Sequence, residues 1–254
     1  MSLLISLRSE GLKSRRNIAG YLTLAAAFTP VIGMLDLFLD GVEPEHRDTI
    51  FNEMFTTRFG MTGALSFPIF IILVCTLLPQ IEYRNNTWKQ LLSSPQTKWN
   101  IFLAKFLNVQ IFIFFFLAVN QLLVLASAVI LHMSEPSLNV LNQPLNGSQI
   151  AMTLANSYVS LLAITAIQFW LGLRFRNFIV STGIGIALWF AGSILVLQMK
   201  PGQIQYFPYS FHMYVSFPQF QLKDVSSVLW SSVGYTALFL LLGFLSFRKR
   251  RMIG

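Results

Sequence analysis

Charge is scarce in this sequence. Only 11% of its 254 residues are Asp, Glu, Lys or Arg, against about a quarter in a soluble domain. The long apolar runs carry no acidic residue in their interiors. Ion-coupled transporters and proton relays keep charges at depth, because an intramembrane charge costs about 3 kcal/mol or more and persists for function. Nothing here supplies such a relay. The single cysteine, Cys75, cannot close an internal disulfide and is silent on redox compartment. There is no G-x-x-x-x-G-K-[ST] loop, so the chain has no phosphate cradle of its own. H-E-x-x-H, Cys/His metal spacings and a G-x-S-x-G elbow are missing too. His46, His132 and His212 are far apart in sequence, outside the membrane or at its outer interface, and read as ordinary interfacial histidines. No clustered His, Asp, Glu or Ser at one depth suggests a membrane-embedded enzyme.

What remains is apolar. Hydrophobic residues make up 54% of the chain, with 24 phenylalanines, and the mean hydropathy is +0.61. Helical spans need about 20 apolar residues each. The runs at about 18–39, 61–81, 101–131, 150–173, 178–198 and 226–247 predict an all-α membrane protein of six transmembrane helices, with no room for a separate soluble domain. Pro30 and Pro68 fall inside spans, where neighbouring helices can satisfy the freed carbonyl. The run 101–131 is long enough to tilt or project, and Lys105 near its start is expected to snorkel to the surface. Residues 2–17 put Leu3, Leu4 and Leu7 on one side and basic residues on another, the pattern of an amphipathic interfacial helix. A secretory signal is the competing reading, but its charged region would be too long and no small-residue cleavage site follows.

Charge distribution orients the chain. With six spans, both termini and the connections 82–100 and 174–177 share one side. That side holds every Lys and Arg except Arg47, Arg58, Lys200 and Lys223, and only two acids, Glu10 and Glu82. Positive segments stay cytoplasmic, so both termini are expected in the cytoplasm of a cell whose inner membrane holds the chain. The net charge of +8 then reports topology and anionic lipid, not nucleic acid.

The stretch from Glu82 to Lys105, EYRNNTWKQLLSSPQTKWNIFLAK, is the longest polar interval on this side. Asn85 and Asn86 are good caps, and Trp88, Leu91 and Leu92 fall at i, i+3 and i+4 on one face of a short helix. Pro95 stops that helix. A surface helix of this kind fits a soluble partner; a solvated linker on lipid headgroups is the plainer alternative. Glu82, Asn86, Thr87, Leu91, Leu92 and Pro95 follow the pattern E-x-x-x-G-T-x-x-x-L-L-x-x-P, and Lys98, Trp99, Ile101, Phe102, Ala104 and Lys105 continue it. This resembles the first cytoplasmic loop of type-2 ATP-binding-cassette (ABC) exporter permeases. The motif covers about 24 residues, and the architecture agrees over the whole chain. One departure is Asn86, where the family has glycine; asparagine is the next best left-handed residue.

The resemblance implies that 82–100 carries a coupling helix seated in a groove of a separate ATPase subunit. Trp88, Leu91 and Leu92 would be the docking side chains, flanked by Glu82 and Thr87. It also implies a second permease chain, identical or related, a path between the two, and no cofactor or hydrolytic residue in this chain, since ATP is used by the partner. A stand-alone channel or secondary transporter is the alternative; it lacks charges at depth and leaves the docking-type helix without a role.

Uncharged polar residues do occur at depth. Asn120, Gln121, Asn156 and Gln168 are candidates for lining a path, against hydrogen bonds between helices worth about 0.6–2 kcal/mol each. The second reading is preferred. Gly183, Gly185 and Gly192 read as close-packing positions. The aromatic segment 201–220 either dips inward to close a path or forms an interfacial belt.

Overall fold

The computed structural model describes residues 3–14, 18–85, 87–88, 96–198, 204, 206–217 and 224–249. All regular structure among them is helical. A helix α1 (Leu3–Ser14) leads into three short helices, α2 (Ile18–Ala27), α3 (Thr29–Ile32) and α4 (Leu35–Leu39). Five helices long and apolar enough to cross a membrane follow: α5 (Ile50–Arg84), α6 (Lys98–Ser134), α7 (Gly147–Arg174), α8 (Phe178–Leu197) and, after the short α9 (Phe211–Ser216), α10 (Val225–Arg248). They contain the second to sixth expected spans. At 37 residues, α6 is about 55 Å long at 1.5 Å per residue, so it projects well beyond a hydrocarbon core of about 30 Å.

The first expected span, 18–39, is not one helix. Pro30 has no N–H to give Ala26, its i−4 partner, and the Thr29 hydroxyl donates to that carbonyl instead, at 2.9 Å. Val31 N–H turns to Phe28 O at 3.1 Å, which frees the Ala27 carbonyl. Asn120 of α6 donates to it at 3.4 Å. A second break at Gly33 and Met34 follows. In α5, by contrast, Pro68 and Pro79 lie within a continuous helix. The carbonyl freed by Pro79 belongs to Cys75 and lies against Gly172 of α7, where a Cβ would sit 2.4 Å from the oxygen. Only glycine permits that approach.

The bundle has two chemically distinct ends. At one, Tyr83 donates to Leu173 O at 2.6 Å, Lys98 to Arg248 O at 3.0 Å, and Ser6 to Gln96 at 3.0 Å. All the described stretches with the basic excess meet there. At the other, Arg58 pairs with Asp36 at 2.7 Å, Asn52 donates to Gln149 at 2.9 Å, and Gln143 donates to Arg47 O at 2.6 Å. The broken run 18–39 thus leads from the first end to the second.

Helix α1 turns Ser6, Glu10 and Ser14, spaced i, i+4 and i+8, inward and leaves Leu4 and Leu12 exposed. Its polar stripe faces the protein, and Leu4, Ile5 and Leu12 face outward. The described part of 201–220 is no surface belt. Tyr209, Phe211, His212 and Tyr214 are buried in the bundle. Gly192 and Gly60 make room, against the backbone at Tyr209–Ser210 and at Ser216 respectively. His212 stacks on Phe67 and its Nδ1 is 3.0 Å from the Ser160 hydroxyl, so it is not interfacial. Of the three glycines expected at close contacts, Gly185 and Gly192 are there, while Gly183 faces open space.

Candidate functional site

At the basic end, three segments distant in sequence bring four charges together. Glu82 sits in the last turn of α5, Lys105 two turns into α6, and Glu10 and Lys13 on the inward side of α1. Lys105 Nζ donates to Glu82 Oε1 and to Glu10 Oε2 at 2.8 Å. Lys13 Nζ lies 2.9 Å from Glu10 Oε1 and 3.3 Å from Glu82 Oε1. Two acids and two bases balance in formal charge, and the central pair is enclosed: Glu82 is 1% and Lys105 5% exposed. A buried charge is tolerated only when paired. Lys105 therefore does not snorkel as expected. It turns inward because two carboxylates are there to receive it. Glu82 Oε2 is buried without a hydrogen-bond partner among the described residues, so this carboxylate depends on its other oxygen.

The cluster is anchored on several sides. Trp88 places its ring 5.5 Å from Lys105 Nζ and packs beside Tyr83 and Phe247. A cleft of about 300 Å³ opens beside the cluster, lined in part by Ser6, Glu10, Lys13, Asn85, Thr87 and Gln96. The far end of the 82–100 segment is fixed by Thr97, whose hydroxyl caps α6 by accepting from Asn100 N–H at 3.2 Å. Both ends of the segment thus rest on the parts of α1, α5 and α6 that the cluster ties together.

The ionisation of α1 follows from this geometry. Burial pushes the Glu10 carboxyl up, but Lys105 and then Lys13 outweigh it and hold it below its ordinary value of 4.5. Burial pushes Lys13 down, but Glu10 and Glu82 outweigh that and raise it above 10.5. A lowered Glu10 stabilises the docked helix above its unfolded value and loses that stabilisation as pH falls through its lowered pKa. A raised Lys13 stabilises it below its unfolded value and loses that as pH rises through its raised pKa. Docking of α1 is therefore expected to be flat between these limits and to weaken only outside them. A fluorophore on Leu4→Cys, followed across pH, checks this; release of α1 near neutral pH would contradict it.

The expected docking residues divide. Glu82 is not a surface contact: its carboxylate is enclosed by Lys105 and Lys13. Trp88 is half-buried and turned toward Lys105. Thr87 lines the cleft and is partly accessible, and its N–H donates to Glu82 O at 3.1 Å. Leu91 and Leu92, with Pro95, lie outside the described residues.

The polar residues at depth, candidates for a path or for bonds between helices, do not hydrogen-bond to one another among the described residues. Asn120 mends the broken run 18–39. Gln168 is wholly buried in a knot: its Nε2 donates to Ser181 O at 2.9 Å and to Thr76 Oγ1 at 3.2 Å, and its Oε1 accepts from Tyr209 OH at 3.0 Å. Both amides serve helix-to-helix bonding rather than an open path. Gln121 has a buried amide without a hydrogen-bond partner among the described residues, and Asn156 is partly exposed.

Sequence reasoning missed Glu10 and Lys13 as members of the cluster. The available signal was that Glu10 and Glu82 are the only acids on a strongly basic side. Comparison with protein-family profiles matches residues 6–192 to one described as ABC-2 family transporter protein. The matched range contains α1 from Ser6 onward, the 82–100 segment and all four charges of the cluster. Comparisons with curated proteins and with solved structures find no match.

Proposed function

Since the chain belongs to the ABC-2 transporter family, we propose that it is the transmembrane permease subunit of an ATP-driven exporter in the cytoplasmic membrane. Permeases of this family generally work with an ATP-binding subunit. In this reading the 82–100 segment docks on that subunit through Leu91 and Leu92. ATP is bound and hydrolysed by the partner, and this chain has no catalytic role. A second permease chain completes the path, and the membrane lipid surrounds the pair. The chain crosses the bilayer six times, the broken run 18–39 being the first crossing, with both termini cytoplasmic.

The observation that carries the reading is the buried cluster of Glu10, Lys13, Glu82 and Lys105. A helix pushed by a partner moves a membrane bundle only if it is rigidly attached. Charges fixed in a low-dielectric seam cannot slide apart without exposing an unpaired ion, so displacement of the segment would carry α1, α5 and α6 together. ATP binding would then favour one of two path orientations by its differential affinity for them.

Topology provides the test. Cysteine at Thr97, at the basic end, and at Asn142, at the opposite end, are both at exposed positions. Membrane-impermeant labels are expected to reach Thr97→Cys only from the cytoplasm and Asn142→Cys only from outside. Labelling of both from one side would overturn the proposal.

A further inference from the structure

The last turns of α7 and α10 leave a crevice of about 110 Å³ at the basic end, lined by Trp170, Leu173, Arg174, Gly243, Ser246 and Phe247. Trp170 Nε1 donates to Ser246 Oγ at 3.4 Å along its wall. Arg174 is exposed at its mouth, and Arg176, Arg248 and Lys249 follow directly in sequence and are exposed too.

These four bases have no carboxylate partner among the described residues. Glu10 and Glu82, the two acids there, are committed to Lys13 and Lys105. The positive charge at the crevice is thus free to receive an anion from outside the chain. Its surroundings say of what kind. Helix α10 is the least buried of the five long helices. Leu238, Leu241, Leu242 and Leu245 are exposed on it at i, i+3, i+4 and i+7, a stripe that leads up to the crevice. An occupant must be anionic at one end and apolar along its length.

We propose that this crevice binds an anionic phospholipid, with the headgroup phosphate on Arg174 and an acyl chain along the leucine stripe of α10. Charge complementarity selects the lipid. A zwitterionic headgroup brings a cation that the surrounding arginines repel, whereas a phosphatidylglycerol headgroup does not. Basic crevices between helices at the cytoplasmic face are where anionic headgroups collect.

Native mass spectrometry of the full chain in detergent, titrated with dioleoyl-phosphatidylglycerol or dioleoyl-phosphatidylcholine, tests the proposal. Retention of the anionic lipid is expected to exceed that of the zwitterionic one. Arg174→Gln is expected to lower it about fivefold, the factor for one basic contact near an anionic surface. Arg174→Lys keeps the charge and should retain most of the binding, which separates loss of charge from loss of folding. Arg47→Gln at the opposite end should change nothing. Equal retention of the two lipids overturns the site, as does an equal loss in Arg47→Gln or displacement of the lipid by millimolar inorganic phosphate.

Discussion

Replacing Lys105 with methionine is expected to destabilise the protein by about 3–5 kcal/mol, the cost of removing one partner from a buried ion pair. Total stabilities run only about 5–15 kcal/mol, so the variant should be severely compromised. Methionine fills nearly the same volume, so the loss would not be a cavity effect. What remains is Glu10 and Glu82 facing the same space. Lys13 is the one base left, and its side chain is 33% exposed and thus partly screened. The ring of Trp88 also loses its cation. Melting of the purified full-length chain in detergent reads the effect, and limited proteolysis reports release of α1. Adding Glu82→Gln to Lys105→Met removes the stranded charge and is expected to recover a large part of the loss, the non-additivity of contacting residues. If Lys105→Met melts like the native chain, the cluster does not hold α1, α5 and α6 together.

The second large effect concerns the partner. Leu91→Asp with Leu92→Asp is expected to uncouple the chain from its ATP-binding subunit. Two leucines seated in a groove contribute about 3–6 kcal/mol together, which corresponds to two to four powers of ten in affinity. The ATPase rate of the reconstituted complex should fall to that of the ATP-binding subunit alone, while the permease melts normally. Trp88→Ala should behave differently. Because its ring rests on Lys105, Tyr83 and Phe247, its loss is expected to lower the melting point more than it weakens association. Normal coupling in the double leucine variant would remove the segment from the contact.

The five long helices were legible in the sequence because a bilayer demands long apolar runs. The two ends were legible because positive charge is sorted by side. Interruption of 18–39 was not. Pro30 looks the same in sequence as Pro68, and the difference lies in where the freed carbonyls go. Ala26 and Ala27 find Thr29 and Asn120, which stabilises a break; α5 absorbs its prolines through close packing such as Gly172 on Cys75. The charge cluster was hidden for a related reason. Lys105 and Glu10 are 95 residues apart and Lys13 and Glu82 are 69 apart, so no local periodicity links them. Each alone reads as an ordinary interfacial charge. His212 was misplaced because it lies in an aromatic segment between two spans, and the sequence does not show that this segment tucks into the bundle.

In the proposed function, residues 82–100 are the chain's contact with an ATP-binding subunit. Affinity purification of the tagged full-length chain from its native membrane in mild detergent tests it most directly. The native chain is expected to bring down an ABC ATP-binding subunit in near-equal amount, and Leu91→Asp with Leu92→Asp to lose it while remaining in the membrane fraction. Equal recovery of that subunit with both chains would contradict the claim.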